Sequence, residues 1–528
     1  PAAAGSGVGL MRRAWVPVLL LAMLVAAVLV VPYRAVELQL ASGEAVRLPN
    51  PAALTPTSDV WDYLQLGRRL AEGHGYTSNF TYVPFLPESA AHLHETGAFP
   101  LLWRQPGFPT LVAGSFRLAG DANPNAYLWL FALTVIALPL ATYRLAQAVL
   151  PMRWCALAAC WALLSPVTVG LADPLVATPL LAAWSALLFA VAFRHTAWGG
   201  AMLLGVLAGL GVLLRQEVWL LVPALMVLLV GLRTTGRATA LFLAAAAGLV
   251  CLVPWLWRTA LVTGHPLFNA TSLLYHDTAA FPGWEASRTL AVRDTTPLRF
   301  LATYPVDVLE KCGLGLLRYA RDLVLSAGVL LPFAVVSAFR PPQGTVPRLF
   351  VRGVWVAGLV LVLVLVPFEH NARFLAPLLP LLAVLAALTV ARLPRPAVWA
   401  AGISLVVALG FVGQLGSRNL PEADSAQRAL QDLDALLAAE GGRAPFTVVL
   451  TDAPTLYAWA WDRPAVWAPV ARDVERVRAL IPVEWALLTC GAPRYLGPGL
   501  AGAYAAHGAR LAETGCSTRL AWPVAETP

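Results

Sequence analysis

Runs of about 20 apolar residues, separated by short arginine-bearing links, recur along most of the chain. The first, RRAWVPVLLLAMLVAAVLVVP, predicts a helix near residues 14–36. It is too long for a secretory signal and has no small-residue cleavage site after it, so it reads as an uncleaved anchor. Residues 37–106 form a polar loop, followed by GFPTLVAGSFRLAG, an apolar piece too short to span comfortably. Further spans are predicted near 125–147, 155–172, 174–193, 198–214, 218–232, 238–257, 318–338, 351–367, 374–391 and 397–416. That makes about eleven crossings. From residue 417 the pattern changes. AQRALQDLDALLAAE and RDVERVRALIP predict amphipathic helices, while FTVVLTD and EWALLT predict strands. This alternation predicts a small α/β domain over 417–528, beside a helical membrane domain over 1–416.

Composition agrees. Of 528 residues, 59% are hydrophobic and 12% charged, about half the charged share of a soluble globular chain. The net charge of +8 is almost all arginine, Lys311 being the sole lysine. In a membrane chain that excess points to cytoplasmic links rather than to nucleic acid. With Arg12 and Arg13 inside, alternating spans place Arg144, Arg153, Arg194, Arg233, Arg237, Arg340, Arg348, Arg352, Arg392 and Arg395 on the same inner side. The N-terminus is therefore expected in the cytoplasm of a bacterial plasma membrane. Three segments are expected outside: the 37–106 loop, a 258–317 loop and the C-terminal domain.

Charged groups near membrane depth are costly and tend to be functional. On this topology Asp59, Asp62, Asp173, Arg215, Glu217, Arg258, Glu369, His370 and Arg373 all fall at the outer face. Span ends also collect charge without function, and arginines there can snorkel to water. Asp59 and Asp62 lie one turn apart on a predicted helix. Taken alone, that is a Ser58-capped helix with an acidic first turn.

The motifs carrying these residues resemble those of the C-type (GT-C) glycosyltransferases that use polyprenyl-phosphate sugars. The likeness is to the bacterial branch related to protein O-mannosyltransferases and lipid A aminoarabinose transferases, and it covers most of residues 55–392. Asp59 stands four before Tyr63 in the first outer loop, and RQPGFP (Arg104 to Pro109) follows. Asp173-Pro174 ends the third span. LLRQE carries Arg215 and Glu217, with Gln216 where the family has proline. PWLWRTALVTGHPLF carries Arg258, with Thr259 where asparagine is usual. HNARFLAPLLPLLA carries His370 and Arg373.

The resemblance implies an inverting sugar transfer at the outer leaflet, from a polyprenyl-phosphate donor to a lipid, glycan or protein. Such a reaction needs one base opposite the leaving group and cations for the departing phosphate. On that reading Asp59 is the base and Asp62 its neighbour, while Asp173 orients the acceptor or holds an arginine. Arg104, Arg215, Arg258, Arg373 and His370 serve the donor phosphate, with Tyr63, Glu217 and Glu369 in support. A transporter or flippase of lipid-linked sugars is the alternative, but internal repeats and midplane helix breaks are not evident.

Three further features stand apart. HLHE (His92 to Glu95) reads as a solvated loop rather than a metal site. Relatives differ in whether a divalent cation assists, and the residues leave both open. Cys490 and Cys516 share the outer domain and are candidates for a disulfide, whereas Cys312 reads as a loop residue. Trp61, Tyr76, Trp103, Trp255, Trp257 and Trp284 read mainly as interfacial aromatics, one or two of which could stack on a sugar.

Overall fold

The computed structural model describes residues 15–40, 45–170, 175–194, 197–233, 235–268, 270–294, 296–417, 425–438, 448–492, 496, 499–507, 509–514 and 516–522. Arg12, Arg13 and Asp173 lie outside the described residues. The chain divides into two compact units. One holds residues 1–31, 129–257 and 312–418, and the other 32–128, 258–311 and 419–528.

The first unit is helical. Among the described residues of the chain, five helices are long and apolar enough to cross a membrane: Trp15–Val30 with its 3-10 extension to Tyr33, Pro124–Val149, Arg237–Thr263, Thr345–Leu365 and Pro396–Gly416. Shorter apolar helices cover Met152–Leu163, Thr178–Arg194, Trp198–Leu214, Gln216–Leu232 and Leu379–Val390. The span expected at 318–338 is not one straight rod. Helices Pro305–Ala327 and Leu330–Phe339 meet at 109°. Gly328, with φ +50°, takes the left-handed turn between them, a conformation a side chain disfavours. Cys312, expected in a loop, lies on the first of these two helices.

All twelve residues of Leu379–Val390 are buried, packed against Leu330–Phe339, Met152–Leu163 and Thr178–Arg194. Helices Trp198–Leu214 and Arg237–Thr263 approach through small residues. A Cβ on Gly205 would sit 2.0 Å from the Ala244 carbonyl oxygen, so this crossing tolerates only glycine.

The second unit is built from three separated segments. Strands β1 (Ala35–Gln39) and β2 (Ala45–Pro49) form a hairpin. After helix Asp59–Ala71 come β3 (Thr77–Ser78), β4 (Phe80–Thr81), helix Leu86–Thr96, β5 (Phe99–Pro100) and helix Gly107–Ala119. The C-terminal segment adds helix Ala426–Ala438, β6 (Val448–Thr451), helix Pro454–Trp461, β7 (Ala465–Trp467), helix Val474–Leu480, β8 (Val483–Leu488), helix Leu500–Ala506, β9 (Arg510–Thr514) and β10 (Ser517–Ala521).

These strands form a six-stranded sheet in the order β4-β7-β6-β8-β10-β9. The β4, β7, β6 and β8 strands run parallel, and β10 is antiparallel to both of its neighbours. The C-terminal region, expected as a domain of its own from residue 417, thus shares its sheet with a strand from the 37–106 loop. One apolar core joins Val83, Leu86 and Phe99 from that loop to Leu450, Val466, Ala486 and Leu520. A disulfide links Cys490 to Cys516.

Candidate active site

Helix Asp59–Ala71 starts where its sequence says it should. Ser58 has extended backbone angles, and its hydroxyl accepts from the Val60 N–H at 3.4 Å. Asp59 and Asp62 then occupy the first turn, where the helix dipole favours negative charge. Helix Gly107–Ala119 packs closely along it. Gly67 permits this, since a Cβ there would stand 2.3 Å from Val112 Cγ1. Close packing brings the RQPG turn before that second helix up to the first turn of the other.

Arg104 thereby meets both carboxylates. Its Nε donates to Asp62 Oδ2 at 2.7 Å. Its two terminal nitrogens pair with Asp59, NH2 to Oδ1 and NH1 to Oδ2, the latter at 3.4 Å. Its guanidinium lies 5.0 Å over the Tyr63 ring, which Phe108 buttresses edge-on at 4.7 Å. Burial alone would lower the pKa of Arg104. Asp59, Tyr63, Asp62 and Tyr82 outweigh it and hold the value well above ordinary.

The two aspartates differ. The Asp62 side chain is 1% exposed and accepts from Arg104, from Trp103 Nε1 at 3.0 Å and from Gln65 Nε2 at 3.1 Å. Gln65 is itself fixed, donating to Ser78 Oγ at 2.8 Å and accepting from the Asn79 N–H at 3.1 Å. Asp62 is therefore a buried hub. Asp59 keeps 19% of its side chain exposed and is the better placed to meet an incoming group.

Two other arginines brace this region. Arg258 donates to the backbone carbonyls of Leu101 and Tyr76, each at 2.7 Å. It thus ties together the two ends of the β3–β5 excursion. Arg68 donates to the carbonyls of Trp459 and Ala458 at 3.1 and 3.2 Å and to Asp462 Oδ1 at 2.7 Å. It anchors helix Asp59–Ala71 to Pro454–Trp461. Sequence reasoning assigned Arg104 and Arg258 to a donor phosphate. In this fold Arg104 is committed to carboxylates, and Arg258 donates to carbonyls.

The first unit carries a second polar group. Arg215 and Glu217 form a fork-like pair, with Nε to Oε2 at 3.2 Å and NH2 to Oε1 at 2.5 Å. Arg373 interacts electrostatically with Glu217. His370 Nε2 lies 2.9 Å from Asp322 Oδ2, within ion-pairing distance but not aligned as a directed hydrogen bond. Asp322 also accepts from Arg321 Nε at 3.0 Å. Tyr319 packs edge-on against His370 at 5.0 Å and donates to the Glu369 carbonyl at 2.5 Å.

Asp322 and Tyr319 were not singled out from sequence. They sit in RYARDLVL, where charge at a span end carries no distinguishing signal. A helical count would have placed Tyr319 and Asp322 three apart on one face. The HLHE segment is helical, within Leu86–Thr96, not a loop. Among the described residues no group of three or more His, Cys, Asp or Glu is arranged to hold a metal ion. Asp59 and Asp62 are both engaged by Arg104.

A family model described as dolichyl-phosphate-mannose-protein mannosyltransferase matches residues 104–257. None of the curated proteins compared by sequence matches. Among solved structures, the chain is similar to the apo oligosaccharyltransferase of Archaeoglobus fulgidus, with TM-score 0.56, 12% identity, and coverage of 91% of this chain and 70% of that one. It is similar to the same enzyme tethered to an acceptor peptide containing the NVT sequon, with TM-score 0.54, 12% identity, and 93% and 71% coverage. It is also similar to ArnT from Cupriavidus metallidurans bound to undecaprenyl phosphate, with TM-score 0.52, 13% identity, and 96% and 98% coverage. At such identities the likeness establishes the fold. It is the GT-C glycosyltransferase fold that the motifs resemble.

Proposed function

We propose that the chain is an inverting glycosyltransferase that moves a sugar from a polyprenyl-phosphate donor to an acceptor at the outer face of the membrane. The observation that carries the reading is the partly exposed Asp59 carboxylate, held at a helix N-terminus by Arg104, in a fold shared with lipid-linked sugar transferases. ArnT binds undecaprenyl phosphate in one such structure, and we assign the same donor class here. Five long apolar helices, one bent pair and five shorter apolar helices are in keeping with about eleven crossings. The arginine-rich links favour a cytoplasmic N-terminus, with the loops and C-terminal region outside.

In the reaction, the acceptor hydroxyl is held against Asp59. Its oxygen attacks the anomeric carbon from the face opposite the phosphate. The carbon–oxygen bond to phosphate breaks, its electron pair leaves with the lipid phosphate, and the acceptor proton passes to Asp59. A carboxylate paired with arginine is a weak base. Proton transfer therefore completes late, once the forming glycosidic bond has made that proton acidic. Before that, Arg104 fixes the direction of Asp59, and Asp62 fixes Arg104.

The leaving phosphate needs positive charge. His370 and Arg373 are the groups we assign to it, with Glu217 and Arg215 setting the charge around Arg373. Asp173 is retained as a group that orients the acceptor. Arg258 is reassigned to bracing the loop.

The test is release of undecaprenyl phosphate by the full-length protein in nanodiscs, with a panel of undecaprenyl-phosphate sugars. Asp59→Asn should lower the rate by about 10²-fold or more. Full activity in that variant, or no release from any donor by the wild type, sinks the assignment.

A further inference from the structure

Helix Pro305–Ala327 carries Tyr319 and Asp322 one turn apart on a single face, and both are buried. Together they grip residues 369 and 370. The Tyr319 hydroxyl donates to the Glu369 carbonyl at 2.5 Å, and its ring meets that of His370 edge-on at 5.0 Å. The two oxygens of Asp322 take different partners. Oδ1 accepts from Arg321 Nε at 3.0 Å, while Oδ2 stands 2.9 Å from His370 Nε2.

Those partners are not equivalent. The Arg321 side chain is 63% exposed. An ion pair open to water contributes little, too little to offset the cost of burying a carboxylate. His370 keeps only 18% of its side chain exposed, so water and salt screen its contact with Asp322 less. Glu217, another buried carboxylate of this unit, is already paired with Arg215. The imidazole is thus held at one end. Its Nε2 is buried against Asp322, and the partner of one ring nitrogen decides what the other can do. Nδ1 is the nitrogen left to meet a ligand. The Nε2 contact is close but not aligned as a directed hydrogen bond, and a small turn of the ring straightens it.

We propose that Asp322 is a positioning residue for the leaving phosphate: by holding Nε2 of His370 it presents Nδ1 to that phosphate. A ring that donates from both nitrogens carries two N–H groups and a positive charge. With the phosphate bound, the Asp322 carboxylate offsets that charge on one side and the phosphate on the other. The inference deepens the transferase reading and rests on its assignment of His370 to the phosphate.

The test is binding of radiolabelled undecaprenyl phosphate to the full-length protein in detergent, with labelled undecaprenol as the probe that lacks the phosphate. Asp322→Asn, which keeps the side chain's shape, should raise the half-saturating concentration of undecaprenyl phosphate about tenfold or more, the scale for one charge-assisted contact. Undecaprenol binding should stay as in the wild type, and Asp322→Glu should recover part of the loss. In a His370→Gln background, adding Asp322→Asn should cost little more, because both changes remove one contact.

Unchanged phosphate affinity in Asp322→Asn overturns the proposal. So does an equal loss for undecaprenol, which would make Asp322 a merely structural fastening. A full further loss in the His370→Gln background overturns it too, since Asp322 would then not act through the ring. A wild type that binds with the expected pattern yet releases lipid phosphate from no donor removes the transferase reading instead, and leaves Asp322 holding a phosphate ligand.

Discussion

Asp62→Asn and Asp59→Asn should part company, the first losing stability and the second losing rate. Around Asp62 stand three N–H donors: Arg104 Nε at 2.7 Å and Trp103 Nε1 at 3.0 Å on one oxygen, and Gln65 Nε2 at 3.1 Å on the other. An amide offers one acceptor and one NH2, so whichever way the substituted side chain turns, its NH2 confronts a donor. Gln65 cannot flip to receive it without breaking its bonds to Ser78 and Asn79.

Each buried donor left unmet costs about 1–3 kcal/mol, and Arg104 loses one of its two counter-charges as well, so the total should be about 3–5 kcal/mol. For a unit of this size that lowers the melting temperature by about 6–20 °C. Asp59 is more exposed, and water can replace part of what its charge provides. Asparagine there should cost about 1 kcal/mol of stability yet about 10²–10⁴ in rate. The assay is thermal denaturation by tryptophan emission, paired with initial rates of lipid-phosphate release well below both midpoints. An Asp62→Asn protein that melts like the wild type refutes the hub argument. The reverse pattern would put the base at Asp62.

Other expectations follow from the same contacts. Arg258→Gln releases the Tyr76 and Leu101 carbonyls, with charge-assisted bonds worth about 1.5–3 kcal/mol each. Limited proteolysis within residues 76–101 should accelerate, and an unchanged cleavage rate would count against the brace. Reducing Cys490–Cys516, which spans 26 residues, should cost about 3.5 kcal/mol by loop entropy; equal melting with and without reductant would contradict this. His92 has its pKa pushed down by burial, with Arg258 adding to the effect. The unfolded chain therefore takes up its proton more readily than the folded one. The penalty is absent above about pH 6.5 and grows as pH falls below it. His92→Gln should flatten the acid side of the melting curve, and an unaltered slope would exclude His92 as the source.

Helices were the most legible part of the fold, because length and unbroken apolarity suffice to find them. Trp198–Leu214 was expected at 198–214 and is found there. Where position in space decided the outcome, the sequence was silent. LSAGVLLP reads as continuous span, yet Gly328 turns the chain through a right angle and more. Strand β4 has only two residues, and no periodicity can show in two.

The candidate site was legible as a set of charges but not as a set of pairs. Asp59, Asp62 and Arg104 were all named from motifs. That Arg104 would be engaged by the two aspartates depends on Gly67 letting two helices close together, which no local pattern encodes. Asp322 was missed for the converse reason, since its partner His370 arrives from another segment.

The pairing of β4 with β7 bears on the order in which the protein is made. Phe80 and Thr81 sit beside Ala465 and Val466, and Arg68 on the Asp59 helix holds Trp459 and Asp462. During synthesis the first outer loop emerges early and must wait for hundreds of residues before its sheet neighbours exist. Contacts of such long range form late. The nascent chain therefore carries the Asp59 helix packed on Gly107–Ala119 but without its C-terminal anchors until residues near 467 are in place. On the transferase reading proposed above, competence would come only with the closing stages of translation, and partly made chains would not spend donor lipid.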